Sequence, residues 1–223
     1  MGKVPIFYMA GLGLFKKKEI WVPTWKGVLL VTSLVLLLTF LFFLKINSFL
    51  SMNRPVEAEV LLVDDWLPDF AIEETLKEFN EKRYRKLIIT GGRKVYGWNA
   101  TKFESSAELL AAKIMERGID SSKIQLIKVS PSPSNRTNTS SIATKAWLTT
   151  HPHDFKAINI VSVGSHARRS YYLFNKSLGE HCEVGIISIN NIAYDQNKWW
   201  NSSYGVKEVI TECLAYLYTL LFI

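Results

Sequence analysis

The sequence predicts an α/β protein: a Rossmann-like three-layer sandwich on a mostly parallel sheet of about five strands, behind one N-terminal transmembrane helix. Three observations predict it. Short β-branched runs alternate about five times with stretches of helical apolar period. The strand runs, such as Leu87-Ile88-Ile89 and Ile158 to Val163, are apolar at successive residues, as in a parallel sheet covered on both faces. Gly27 to Leu44 is an unbroken uncharged run that spans roughly 27 Å as a helix, close to the bilayer hydrocarbon core.

Residues 1–26 read as a basic cytoplasmic tail, 27–45 as the transmembrane helix, 46–56 as a linker and 57–223 as an extracytoplasmic domain. Lys26 and Lys45 bracket the span, and Trp21 and Trp25 stand where interfacial aromatics belong. A cleaved signal peptide is the rival reading, but its apolar region would be shorter and would end at a small-x-small site. This one ends Phe-Phe-Leu-Lys-Ile-Asn. Lys16-Lys17-Lys18 precede the span, and only Lys45 and Arg54 follow it closely. The positive-inside rule therefore puts the N-terminus in the cytoplasm and the domain outside, on a single-pass inner-membrane protein. The net charge of +7 has the same origin: Lys3, Lys16, Lys17, Lys18, Lys26, Lys45 and Arg54 face a single acid, Glu19, before residue 55. The domain itself is nearly neutral and carries no basic stripe with interleaved aromatics, which argues against nucleic acid as a partner.

Within the domain, Ala58–Val63 reads as a strand and Ile72–Asn80 as a helix. Lys86–Thr90 is a second strand, closed by Gly91-Gly92, and Phe103–Arg117 an amphipathic helix. Ser122–Lys128 is a third strand, followed by the polar loop Ser130–Asn138 and the helix Thr139–Thr149. Ala157–Val163 is strand four, Ala167–Leu178 a helix, Glu183–Ile189 strand five and Tyr204–Phe222 the closing helix. The strand order expected for such a sheet is 3-2-1-4-5. The apolar end of the closing helix is too short to span; it reads as a core helix, with a tip dipping into the bilayer surface as the alternative. Cys182 and Cys213 read as small buried hydrophobes, although a disulfide is permitted outside the cytoplasm. Trp199-Trp200 can pack on the core or touch a membrane interface. His151-Pro-His153 has a metal-like spacing but sits on a polar loop. Asn99-Ala-Thr101 is a glycosylation sequon only in a glycosylating host.

In a parallel sheet the segments after each strand share one edge, where open α/β sheets bind ligands. After strand one come Asp64, Asp65 and Asp69; the first two follow directly and can act as a general base, a hydroxyl ligand or metal ligands, whereas Asp69 can simply cap a helix. Thr90, Gly91 and Gly92 end strand two, where glycine lets backbone amides approach an anion. Asn138 and Thr139 stand as N-caps of the third helix. Strand four runs into Gly164-Ser165-His166-Ala167-Arg168-Arg169. His166 and Arg169 lie one helical turn apart and suit an anionic ligand, while Arg168 points elsewhere. Gly-x-Ser-x-Gly, Walker A and Gly-x-Gly-x-x-Gly patterns are absent, and the sequence leaves the cofactor unknown.

These tips, in this order, resemble the SanA/ElyC/YdcF-like family of bacterial envelope proteins over roughly residues 57–222. The resemblance rests on Leu87-Ile88-Ile89-Thr90-Gly91-Gly92, on Glu104 opening the second helix, and on Thr137-Asn138-Thr139 before Ala143. It rests further on Val161 to His166 with Arg169, and on the ending Trp200-x-x-x-x-Gly205 to Glu212. Val63-Asp64-Asp65-Trp66-Leu67-Pro68-Asp69 replaces the family's usual glycine-bearing first tip, and Ser141-Ile142 stands where Glu-Asn is usual, as in a divergent membrane-anchored subgroup. The resemblance implies a role in envelope or cell-wall polymer assembly, with polyprenyl-phosphate carriers among the ligands. The expected site has Asp64, Asp65 and His166 as catalytic groups. Thr90, Gly91, Gly92, Glu104, Asn138, Thr139, Ser165 and Arg169 would hold a phosphate-bearing, lipid-linked or small anionic metabolite. An enzyme of this kind would hydrolyse or transfer at a phosphoryl or glycosyl centre. The rivals are a non-catalytic regulator or scaffold of envelope-synthesis proteins and a nucleotide-type cofactor binder, the latter by fold analogy alone.

Overall fold

The computed structural model describes residues 20–82, 84–92, 102–130, 134–151 and 155–223. The basic cluster Lys16-Lys17-Lys18, Arg93, the Asn99–Thr101 sequon, the middle of the Ser130–Asn138 loop and His153 lie outside them. The chain forms two compact units, Met1–Phe43 and Leu44–Ile223. The first holds most of helix α1 (Trp25–Leu50), whose apolar run, exposed as far as Phe43, makes it long and apolar enough to cross a membrane.

The second unit is an α/β sandwich on a five-stranded, all-parallel sheet. Its elements are β1 (Val60–Asp64), α2 (Asp69–Glu81), β2 (Lys86–Gly91), α3 (Ser106–Glu116), β3 (Ile124–Lys128), α4 (Arg136–Thr150), β4 (Ala157–Val163), α5 (Ala167–Leu178), β5 (Glu183–Ile189) and α6 (Ser203–Phe222). The strands lie in the order β3-β2-β1-β4-β5, as expected. Because side chains alternate across a strand, Leu61 and Val63 of β1 pack with α2 and α3 on one face. Val60 and Leu62 pack on the other, with Leu148 of α4 and Phe174 of α5. All of β1 and β4 is buried, which accounts for their continuous apolar runs. The chain order reverses between β1 and β4, so their carboxyl ends flank the switch point at which such sheets open a crevice.

Several boundaries and one burial pattern differ from expectation: β1 and β3 each start two residues later than expected and α3 three, and the differences that bear on the site are these. The segment expected as a linker is helical as far as Leu50. Lys45 ends the apolar run but not the helix, and Ile46, Asn47 and Leu50 are buried in this unit against Tyr194, Trp199 and Val209. Arg168 clamps the same helix end: its Nε donates to the Phe49 carbonyl and its guanidinium lies 3.8 Å from the Phe49 ring centre. Helix α4 begins at Arg136, so Asn138 and Thr139 are not caps but first-turn residues; the cap position is Asn135, in the left-handed region at φ 55°. Glu104 does not open α3. Ser105 does so, its hydroxyl accepting the Glu108 N–H, while Glu104 is a largely exposed carboxylate 3.6 Å from Lys128 Nζ. Helix α2 starts at Asp69, whose exposed carboxylate pairs with Lys113 at 2.7 Å rather than capping. Finally, α6 is not a core helix along its length. Val209 is buried, but Leu214, Leu217, Leu221 and Phe222 are exposed.

Cys182 is buried among α5 and β5 residues, Cys213 is half-buried, and both are free thiols. Trp199 packs in the core beside Ile46 and Leu50.

Candidate functional site

A cavity of about 560 Å³ opens over the carboxyl ends of β1 and β4. Of the residues expected at the site, it brings together Asp64, Asp65, His166 and Arg169. It adds Trp66 and Pro68 from the β1–α2 connection, Phe70 from the first turn of α2, Asn135, Arg136 and Thr137 from the start of α4, and Tyr204, Glu208 and Glu212 from α6.

The two acids at the end of β1 are held by different neighbours. Asp64 is the last residue of the strand and 8% exposed; its Oδ1 accepts the Asp65 N–H at 3.1 Å and the Ser140 hydroxyl at 3.2 Å. Burial pushes this carboxyl up and the neighbouring Asp65 charge pushes it further. The Asp65 amide, the His166 charge and the Ser140 hydroxyl pull it back, leaving it at about 6 rather than 3.8. Asp65 turns toward α3 and accepts a short hydrogen bond from the Ser106 hydroxyl.

Strand β4 ends at Val163, and Gly164, with a φ of 50°, turns the chain into the 3₁₀ turn Gly164–His166. A Cβ there would also press on Asn191. The turn delivers His166 to the cavity against Trp66, edge to face with ring centres 4.9 Å apart. One turn on, Arg169 forms a two-pronged ion pair with Glu212 of α6: Nε to Oε2 at 2.9 Å and a terminal nitrogen to Oε1 at 3.0 Å. His166 Nδ1 lies 3.0 Å from the same Oε1 and 3.0 Å from that guanidinium nitrogen, and its Nε2 lies 3.5 Å from Thr137 Oγ1. Burial alone would raise the Glu212 carboxyl. The hydrogen bonds and charges of His166 and Arg169 outweigh it and hold the carboxyl at about 2.

The remaining expected residues lie elsewhere. Thr90 pairs in register with Asp64 and is fully buried, its hydroxyl without a hydrogen-bond partner among the described residues, but it does not line the cavity. Gly91 and Gly92 serve packing: a Cβ on the first would strike the Asp65 side chain, and one on the second the Val129 carbonyl. The smallness of Gly91 makes room for the Asp65 side chain, and that of Gly92 for the Val129 carbonyl. Glu104 is on the surface. Asn138 and Thr139 are absent from the cavity wall because helical rotation turns only their neighbours Arg136 and Thr137 toward it. Ser165 is buried and hydrogen-bonds Tyr194.

Sequence reasoning did not place Glu212, Arg136 or the two serines that hold the aspartates in the site. Glu212 entered only as the end of the Trp200-to-Glu212 motif, and nothing in that motif ties it to His166, 46 residues away. Arg136 was legible as the first cation of a Ser/Asn-rich loop running into a helix. Among the described residues Arg136 pairs with no acid, so it is the cation of the cavity whose charge is not already met. Also among them, no group of three His, Cys, Asp or Glu side chains is arranged to hold a metal. No family model and no curated protein matches the chain.

Proposed function

We propose that the Leu44–Ile223 unit is the extracytoplasmic domain of an inner-membrane envelope-biogenesis factor, and that its strand-tip cavity binds a phosphate-bearing metabolite, polyprenyl-linked or free. One observation carries the reading. The cavity is lined both by Arg136, a cation at the start of a helix that pairs with no acid among the described residues, and by Asp64, a carboxyl whose pKa is raised to about 6. Arg136 and the first-turn amides of α4 take the anion, and Trp66 and Phe70 supply an apolar wall for the rest of the ligand. Arg169, neutralised by Glu212, contributes mainly by placing His166. Asp64 and His166 are the proton-transfer groups of a hydrolase or transferase acting at a phosphoryl or glycosyl centre. The resemblance to the SanA/ElyC/YdcF-like family and the apolar helix α1 support the envelope setting.

A second reading, a non-catalytic regulator coupled to its membrane helix, draws on α6. One side of that helix carries Glu208 and Glu212 to the cavity, and another packs Val209 on Ile46 and Leu50 at the base of α1.

The test is binding of a short-chain polyprenyl phosphate to the full chain in nanodiscs. Arg136→Ala should weaken it at least tenfold, and Asp64→Asn should spare binding while abolishing any turnover. Equal binding by wild type and Arg136→Ala overturns the anion site. Replacing residues 27–43 with an unrelated apolar helix should leave binding and function intact; lost function with intact binding favours the regulator. A reporter active only outside the cytoplasm, fused after Ile223, should be active; an inactive fusion reverses the orientation.

A further inference from the structure

We infer that Glu212 is a positioning residue: it holds His166 with the proton on Nδ1, so that the Nε2 lone pair faces the cavity. This rests on the reading of His166 as a proton-transfer group, but it concerns the protein before any ligand arrives.

The geometry restricts the imidazole. Glu212 Oε1 and a terminal Arg169 nitrogen both lie 3.0 Å from Nδ1. A guanidinium only donates and a carboxylate only accepts, so the two neighbours ask for opposite tautomers. The fork decides between them. Arg169 directs Nε and the terminal nitrogen to the two Glu212 oxygens, at 2.9 and 3.0 Å, so the hydrogen on that side is already engaged. A bare Nδ1 would then set its lone pair against a carboxylate oxygen inside a site where Glu212 is only 14% exposed. A protonated Nδ1 instead makes a charge-assisted hydrogen bond. The opposite ring nitrogen, Nε2, is left for the cavity, with the Thr137 hydroxyl 3.5 Å away as its neighbour. Trp66, packed perpendicular to the ring at 4.9 Å, restrains the rotation that would exchange the two nitrogens. The arrangement is that of a carboxylate-oriented imidazole base, with the carboxylate supplied by the last helix rather than by a neighbouring strand tip.

The test uses the full chain, ¹⁵N-labelled on histidine, in detergent micelles at a pH where the ring is neutral. Long-range ¹H–¹⁵N correlation separates a protonated ring nitrogen from a bare one, and His166→Gln assigns the signals among the four histidines. The expected wild-type spectrum has a pyrrole-type Nδ1 and a pyridine-type Nε2. Glu212→Gln should shift the bare-nitrogen signal toward Nδ1, and Glu212→Asp should restore at least part of the wild-type pattern. A pyridine-type Nδ1 in the wild type, or a tautomer unchanged in Glu212→Gln, overturns the inference. If Glu212→Gln does not fold, the wild-type spectrum alone decides. No ligand enters this measurement, so failure of polyprenyl phosphate to bind would sink the proposed function while leaving the tautomer result standing.

Discussion

Asp64→Asn should make the protein more stable at neutral pH while removing its function. The Asp64 carboxyl is raised from 3.8 to about 6, chiefly by burial and then by the Asp65 charge. A native pKa above the unfolded one means that the folded state binds this proton more tightly. Between the two values the native state holds more protons, so stability falls as pH rises through that window. Above about pH 7 the ionised group costs the fold roughly 3 kcal/mol, and below about pH 4 it costs nothing. Asparagine retains an Oδ1 for the Asp65 amide and the Ser140 hydroxyl and carries no charge to desolvate. The variant should therefore gain up to about 3 kcal/mol at pH 8, and the gain should fade toward pH 4. Denaturant unfolding of both proteins across pH 4–8, followed by tryptophan fluorescence, measures this directly. A destabilised variant at pH 8, or a difference that does not change with pH, would refute the reasoning. It would mean that the ionised carboxylate is met by a partner strong enough to cancel its burial.

Glu212 should behave oppositely. Its pKa is depressed from 4.5 to about 2, so its contribution, about 3 kcal/mol, is present above pH 4.5 and disappears as pH falls through about 2; acid unfolding of Glu212→Gln should lose that low-pH limb. Glu212→Ala should cost about 3–5 kcal/mol at pH 7, because Arg169, only 18% exposed, is left without its carboxylate; a loss below 1 kcal/mol by denaturant titration would contradict the pairing. Leu50→Ala should cost about 2–5 kcal/mol, since this fully buried side chain packs into the cluster with Trp199 and Val209; an unchanged unfolding midpoint would show that the base of α1 does not belong to the folded unit. Gly164→Ala should cost at least about 1–2 kcal/mol for the left-handed backbone and should disturb His166; wild-type stability there would argue against the turn.

How far the site was legible depended on whether its signals were local. β4, α5 and β5 occur at the residues expected because a β-branched run stopped by glycine and an amphipathic period are contained within each segment. The tips of β1 and β4 were legible for the same reason, and with them Asp64, Asp65, His166 and Arg169. The start of α4 was misplaced because Asn138 and Thr139 have the chemistry of caps, and only the backbone of Asn135 shows that the helix has already begun. Gly91-Gly92 looked like an anion cradle because glycine reports only that something comes close; the neighbours are Asp65 and Val129.

The sequence by itself determined the alternation of strands and helices, the parallel sheet and the apolar N-terminal helix, since periodicity and run length are properties of consecutive residues. Only the tertiary structure decided that α6 returns to set Glu212 between His166 and Arg169. It also decided that Arg169 is matched by Glu212 while Arg136 meets no acid among the described residues, and that burial raises the Asp64 carboxyl to about 6. Those outcomes depend on distance and burial between groups far apart in the chain, and a charge in a sequence carries no record of what it will be packed against.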